Sequence, residues 1–412
     1  LQWFPEQGSS CDVAAPCTQQ WVDEFGFVSI PVMASNRITT PEQAEKILRD
    51  GQADMVNLGR VLIADPYWPR KAKEGRPEEI RPCVACSQGC TDELFNGRPV
   101  SCIGNARAGF EGERRIRITD HPKKIMIAGA GIAGLEVAVT AARTGHRPVL
   151  YDRAADIGGQ IYIAAAPPHK SELLEFVRYY RAMLKKYDIP VRLNTEVTPD
   201  LIRNQAPDHL IIAQGAAPLV PPIKGIDDTS VISSWDVLAD DPALGKRVAV
   251  IGGGAVGLET AHFAARKGCL TPDMLHFLMT YEALSPERLR EYMFKGTSRV
   301  TVFEMLEKAG QDVGKSTRWI LMGNLDRHGV KIRTSARVMS IRDGELTWEQ
   351  DGALRKETFD TIILASGAKP VNTLVPLAEE MGLSHTVIGD SLKVGRINDA
   401  VHGGFLAASA LS

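Results

Sequence analysis

What this 412-residue chain lacks narrows the field first. No run of about 18 apolar residues exists to cross a bilayer, and the opening LQWFPEQGSS has none of the charged, apolar and small-residue zones of a signal peptide. A cytoplasmic location is therefore expected. Excess charge of one sign is also missing: 48 Lys and Arg against 50 Asp and Glu leave a formal net charge of −2. Beyond Arg114, Arg115 and Arg117 there is no dense basic run, so nucleic acid is not an expected partner. Seven cysteines in a chain this long do not make a small secreted scaffold stapled by disulfides. An initiating Met is absent too; Leu1 opens what reads like the middle of a domain, and the expectation is a fragment. With 44% hydrophobic and 24% charged residues, the composition is that of a globular protein of two to four domains.

What is present is concentrated. Four of the seven cysteines, Cys83, Cys86, Cys90 and Cys102, fall in CVACSQGCTDELFNGRPVSC with the spacing C-x2-C-x3-C-x11-C. Three thiolates in one short loop and a fourth returning after a turn can surround a compact, soft metal centre, and an iron-sulfur cluster is the natural occupant. Structural zinc is the alternative, although it more often uses two separated C-x2-C knuckles.

Ahead of the cysteines lies a strand, helix, strand, helix series: 28–35, a helix capped by Thr40-Pro41-Glu42 with Ala44, Ile47 and Leu48 as its apolar face, 53–59, and a helix opened by Asp65-Pro66. Such a series suits the last quarter of a (βα)8 barrel, too short to close alone. Asn36, Arg37, Gly59 and Arg60 sit on the two loops where such barrels hold phosphate. Each arginine alone reads as a surface ion-pair partner; their joint placement supports a phosphate.

Behind the cysteines, a strand at 125–128 feeds Gly129-Ala-Gly131-Ile-Ala-Gly134, a helix runs through Arg143, and the next strand ends at Asp152, 18 residues past the last glycine. That context makes a strong dinucleotide fingerprint, with pyrophosphate expected at the helix N-terminus and Asp152 on ribose hydroxyls. Gly159 and Gln160 offer a second approach to a flavin dinucleotide. The device repeats with a strand at 247–251, Gly252, Gly254 and Gly257, a helix, and a strand ending at Glu304. Between that helix and strand, Thr271-Pro272-Asp273 and Ser285-Pro286-Glu287 each start a short apolar-faced helix of an insertion. A carboxylate at Glu304 would repel a 2′-phosphate, which favours NADH over NADPH; a solvated strand end is the alternative reading. Gly389-Asp390 closes the pattern before a C-terminal helix at 399–411.

Together these residues resemble the 2,4-dienoyl-CoA reductase and trimethylamine dehydrogenase branch of the old yellow enzyme family. The pieces that carry the likeness are Ser35-Asn36-Arg37-Ile38 with Gly59-Arg60, the cysteine spacing, both fingerprints and Gly389-Asp390. The resemblance implies an α/β chain. It comprises the C-terminal remnant of an FMN-binding (βα)8 barrel (1–78), a [4Fe-4S] loop (79–112), an FAD domain (113–245 and 367–412) and an NAD(P)H domain (246–366) nested within it. It further implies Cys83, Cys86, Cys90 and Cys102 as cluster ligands. Gly129, Gly131, Gly134, Asp152, Gln160 and Asp390 would serve FAD, Gly252, Gly254, Gly257 and Glu304 the nicotinamide nucleotide, and Asn36, Arg37, Gly59 and Arg60 the FMN phosphate. One departure stands out: Trp3-Phe4-Pro5-Glu6 falls where the family's enoyl reductases carry Trp-His-Glu, so Phe4 replaces a proton-handling histidine.

The implied route runs from NADH to FAD, singly through the cluster, and on to FMN, ending on an α,β-unsaturated acyl-CoA or enone. Rival readings are an electron-transfer subunit serving a partner chain and a sulfur or disulfide reductase. For the latter, Cys269 has no C-x-x-C partner and reads as a core cysteine. His262, His328 and His402 read as structural or exposed, and homo-oligomers are compatible with the pattern.

Overall fold

The computed structural model describes residues 31–411. Trp3-Phe4-Pro5-Glu6 and the start of the expected 28–35 strand lie outside the described residues. The described residues divide into two compact units, one of residues 31–161, 172–215 and 370–411, the other of 162–171 and 216–369.

The first unit begins with two short parallel strands, Met33–Ser35 and Met55–Asn57, paired Ser35 to Asn57. The helix between them, Pro41–Arg49, is capped by Thr40, whose hydroxyl accepts from the Gln43 amide, and it buries Ala44 and Ile47. Leu48, expected on the buried face, is 39% exposed. A five-residue helix, Arg60–Ala64, follows the second strand directly with Gly59 at its N-cap, so Arg60 starts a helix and does not hang in a loop.

The unit's main sheet has five parallel strands in the order His385–Val387, His209–Ile212, Lys124–Ala128, Arg147–Tyr151 and Val191–Arg192. Central strands of parallel sheets are covered on both faces and therefore read as unbroken apolar runs. Ile125, Met126, Ile127 and Ala128 are each 3% exposed or less, as are Leu210, Ile211 and Ile212. The fingerprint helix Ile132–Arg143 packs against the C-terminal helix Ile397–Ser409. Small residues permit this: a Cβ on Gly404 would lie 2.7 Å from the Ala133 carbonyl oxygen.

The second unit repeats the plan. Its parallel sheet runs Lys331–Arg333, Arg299–Phe303, Arg247–Ile251, Thr361–Leu364 and Val231–Ser233, beside an antiparallel sheet of Arg337–Arg342, Glu345–Gln350 and Ala353–Thr358. Val231–Ser233 pairs with Thr361–Leu364, so this unit takes in residues 216–245 beside the expected 246–366 span, together with 162–171. The insertion forms helices Pro272–Thr280 and Pro286–Phe294, capped by Thr271 and Ser285. Their expected apolar faces are not core: the first buries no residue, the second only Leu289, and Met274 and Phe277 are exposed. Among the described residues no helix is long and apolar enough to cross a membrane.

Candidate redox centre and nucleotide cradles

The four clustered cysteines line one concavity. All four are free thiols. A short helix, Thr91–Phe95, starts directly after Cys90, and the Ser101 amide donates to the Gly89 carbonyl at 2.6 Å, which folds the Cys102 strand back onto the loop. Ala85 (φ 49) and Ser87 (φ 60) adopt left-handed backbone, a conformation that costs a residue with a Cβ roughly 1–2 kcal/mol and persists where the surroundings enforce it. Backbone amides of Ala85, Gln88 and Gly104 hydrogen-bond the sulfurs of Cys83, Cys86 and Cys102. Burial pushes the Cys83 and Cys86 thiols up, and that of Cys102 up to about 11. Metal coordination is what deprotonates thiols in such a setting.

Thiolates on one tetrahedral zinc stand about 3.8 Å apart, given a Zn–S bond of 2.3 Å. Among the described residues no group of three or more Cys, His, Asp or Glu is drawn together to hold a metal ion, and the four thiols share one concavity. A soft, all-thiolate donor set with amide N–H groups aimed at its sulfurs fits a polynuclear iron-sulfur cluster.

Arg81 and its partner Glu136 secure this loop, and neither was singled out by its sequence. Arg81 is 8% exposed and donates to the Gly104 carbonyl and to Glu136, at 3.0 Å, on the first fingerprint helix; it also lies 4.7 Å from the centre of the Tyr179 ring. Glu136, 1% exposed, accepts from the Tyr180 hydroxyl at 2.7 Å. Burial opposes the charge on Arg81, yet Glu136 more than offsets it and the guanidinium is held far into its charged form; burial first and then Glu136 push the Tyr180 hydroxyl up. His402, read as structural or exposed, contacts the Cys102 carbonyl through Nε2 at 2.9 Å and Arg114 through Nδ1 at 3.0 Å. Arginine only donates, so Nδ1 accepts and Nε2–H points at the cysteine carbonyl.

Asn36-Arg37 and Gly59-Arg60 follow adjacent parallel strands at the same end. Asn36 (φ 79) and Arg37 (φ 55) are both left-handed. The Arg37 guanidinium is ion-paired with Glu172, while Arg60 reaches Ser87 Oγ at 3.5 Å and lines the cysteine concavity.

The two fingerprints match atom for atom in one respect. Asp152 Oδ2 accepts from the Ala130 amide at 2.6 Å, and Oδ1 accepts from Ala154 at 2.7 Å. Glu304 Oε2 accepts from Gly253 at 2.7 Å, and Oε1 from Leu306 at 2.8 Å. Each acid thus pins the residue between the first two glycines and the amide two residues downstream. Gly129 (φ +120) and Gly252 (φ +109) hold backbone forbidding to side chains. Cβ atoms on Gly134 and Gly257 would lie 2.0 and 1.9 Å from the carbonyl oxygens of Gly129 and Gly252. At Gly131 a Cβ would meet nothing within 4 Å, leaving a cradle of the kind a pyrophosphate fills. Gln160 Nε2 donates to Asp390 Oδ2 at 3.0 Å across 230 residues, Gly159 packs on Gly131, and Gly389-Asp390-Ser391 turns beside Gly215, whose amide donates to Ser391 Oγ at 2.8 Å.

Residues 123–392 match the pyridine nucleotide-disulphide oxidoreductase family. The chain belongs to that family. Membership assigns it FAD and NAD(P)H as cofactors. Residues 17–79 match the NADH:flavin oxidoreductase / NADH oxidase family. A metal reductase of Desulforamulus reducens is 39% identical over 379 residues, 91% of this chain and 57% of that protein. A bilirubin reductase of Mediterraneibacter gnavus is 35% identical over 385 residues, 93% of this chain and 56% of that protein. A solved 2-naphthoyl-CoA reductase in complex with 2-naphthoyl-CoA superposes with a TM-score of 0.83 at 29% identity, covering 98% of this chain and 57% of that one. The chain spans about half the length of the curated relatives it matches. The expected α/β order, a short flavin-oxidoreductase segment, then the cysteine region, then dinucleotide folds, is borne out.

Proposed function

We propose that the complete protein is an NADH-dependent iron-sulfur flavoprotein that reduces an α,β-unsaturated carbonyl compound, an acyl-CoA thioester or an enone. The observation that carries this reading is the ring of four thiols around one concavity, with Arg60 of the phosphate-loop pair on its wall. When bound, FAD would accept hydride from NADH, the cluster would relay single electrons, and FMN would return two electrons to the acceptor.

This chain's own residues bind and orient. Cys83, Cys86, Cys90 and Cys102 supply the thiolates, and the amides of Ala85, Gln88 and Gly104 bond their sulfurs, a lever on reduction potential. In the first fold, Gly131 leaves room for pyrophosphate, and Asp152, Gln160 and Asp390 are assigned to the flavin nucleotide, a reading supported by Asp152 on the glycine turn and by the Gln160–Asp390 hydrogen bond. In the second, Glu304 puts a buried carboxylate at the strand end where a 2′-phosphate would otherwise sit, which favours NADH. Arg60, with Asn36, Arg37 and Gly59, is assigned to the FMN phosphate; Arg37 would have to leave Glu172 to reach it.

Conjugated acceptors are supported by the relatives whose names carry bilirubin and 2-naphthoyl-CoA. A metal ion as acceptor is the second reading, resting on the 39% identity to a metal reductase. A disulfide substrate is less supported: Cys269 is a free thiol against the Ala265 carbonyl and His328, burial raises its pKa, and no other described cysteine belongs to its unit.

The test is metal, sulfide and flavin analysis of the anaerobically purified full-length protein, followed by NADH oxidation against enoyl-CoA esters, enones and chelated ferric ion. About four irons and four labile sulfides with one FAD and one FMN, and turnover with an enone or enoyl ester, are expected. Zinc without labile sulfide would sink the redox-centre assignment; turnover with ferric chelate alone would replace the substrate.

A further inference from the structure

The first fingerprint helix starts at Gly131, where an added Cβ would meet nothing within 4 Å, so its N-terminus faces an open cradle. In the second unit the same turn leads into the same kind of helix, Ala255–Arg266, but the place is taken. The Asp312 carboxylate lies on the Ala255 amide, both oxygens at 3.0 Å. A Cβ built on Gly254, the equivalent of Gly131, would stand 3.3 Å from Asp312 Oδ2.

The segment that brings Asp312 there continues from the strand Arg299–Phe303 and is tied onto the glycine turn at both ends. Glu304 accepts from the Gly253 amide at 2.7 Å, and the Gly310 amide donates to the Gly253 carbonyl at 2.7 Å. Gly310 takes left-handed backbone (φ +65) there, and a Cβ on it would lie 2.8 Å from Leu258 Cδ1. The carboxylate is therefore delivered to the helix end by a segment whose course is fixed on either side of the turn.

The Ala255 amide is the first donor of the helix, where a dinucleotide's pyrophosphate is bound. A carboxylate and a phosphate oxygen compete for it twice over, once for the hydrogen and once through like charge at short range. The geometry points to Asp312 as a built-in competitor of the pyrophosphate, a carboxylate that caps the second fingerprint helix and has to swing off Ala255 before the nicotinamide dinucleotide docks. This inference rests on the reading of the second unit as the nicotinamide unit. Its consequence is a weakened hold on NADH and NAD⁺ alike. Asp312 affects affinity through the helix end and is not a catalytic residue.

The test is calorimetric titration of NAD⁺ into the oxidised, flavin-loaded, full-length protein as wild type, Asp312→Asn and Asp312→Ala, with thermal melts run alongside without nucleotide. A carboxylate at a helix N-terminus is favoured there by a factor of about 2 to 5, and Asp312→Ala is expected to bind NAD⁺ tighter by about that factor. Its melting point without nucleotide should fall. Asp312→Asn keeps an acceptor oxygen for the amide and removes the charge, so its affinity should fall between the other two; it carries the test alone if the alanine variant does not fold. Unchanged or weaker binding in the variants, with saturable binding in wild type, overturns the proposal alone. No NAD⁺ binding by wild type overturns the assignment of the second unit and this proposal with it.

Discussion

Arg81→Met removes one charge from the interior beside the cysteine loop and leaves a stem of similar reach over the Tyr179 ring. The guanidinium it deletes lies two residues before Cys83, donates to Gly104 two residues after Cys102, and pairs with Glu136 at 3.0 Å. Glu136, 1% exposed, keeps the Tyr180 hydroxyl at 2.7 Å and the Thr140 hydroxyl at 3.3 Å but loses its counter-ion. Breaking a buried ion pair from one side costs about 3–5 kcal/mol, because the surviving charge stays desolvated. The Gly104 carbonyl loses its donor as well, worth about 1–3 kcal/mol if no water replaces it. The two terms overlap, since one guanidinium makes both contacts, and a loss of about 4 kcal/mol is expected. Urea unfolding of wild type, Arg81→Met, Glu136→Leu and the double variant measures it. The double variant removes both charges and should recover at least half of the Arg81→Met loss, as buried pairs replaced by apolar residues commonly do. A loss below about 1 kcal/mol in Arg81→Met, or a double variant no better than the sum of the singles, would refute the view that this pair clamps the cysteine loop to the fingerprint helix.

Cys86→Ser and Cys102→Ser should each strip most of the iron and labile sulfide from the protein, whereas Cys269→Ser, in the other unit, should leave both intact; colorimetric iron and sulfide assays decide. Gly131→Ala puts a methyl group into the open cradle and should cut retained FAD at least tenfold with little change in the apoprotein's melting point, while Gly134→Ala, whose Cβ would lie 2.0 Å from the Gly129 carbonyl oxygen, should fail to fold stably. His262, 3% exposed, has its pKa pushed down to about 3 by burial first and then by His328, Arg266 and His169. Its unfolded value is about 6.5, so as pH falls below that only the unfolded chain takes the proton. Stability present above pH 6.5 is lost on acidification, by about 2 kcal/mol at pH 5, and His262→Phe should flatten the slope of unfolding free energy against pH by close to one proton.

Local chemistry wrote the parts of this fold that the sequence reveals. KIMIA and RVAVI are apolar at every position after the first because both sheet faces are covered, and glycines at two fixed offsets follow each because a carbonyl oxygen stands where a Cβ would be. Helix starts at Thr40, Thr271 and Ser285 were legible because a cap is a local bond between a side chain and an amide three residues on. What those helices bury was not, since an apolar residue at helical spacing does not say whether anything packs on it; Leu48, Met274 and Phe277 are exposed. The full extent of the second unit is not legible for a related reason: the edge strand Val231–Ser233 carries no motif and joins its sheet only by pairing with Thr361–Leu364, more than a hundred residues on.

The site divides along the same line. Cysteine spacing and the strand-end acids Asp152 and Glu304 are written in sequence because the geometry they serve is compact. Arg81 with Glu136, 55 residues apart, and His402 with the Cys102 carbonyl, 300 apart, have no periodic trace. Yet the two repeats leave a clue. Glu136 and Glu259 each stand two residues past the third glycine of their fingerprint, and each is neutralised by a cation from outside the motif, Arg81 for one and Lys170 for the other. An acid repeated at one helical offset announces that a buried or half-buried partner is needed without naming it. Differences between the repeats then carry the functional information: the fingerprints agree at the glycines, the strand-end acid and this helical acid, and diverge at the helix end, where Asp312 lies on Ala255 while a Cβ on Gly131 would meet nothing within 4 Å. The two folds thus differ at the donor expected to meet a phosphate, and on the proposed assignment that is where a fold that keeps its flavin and one that must release its nicotinamide after each hydride would part.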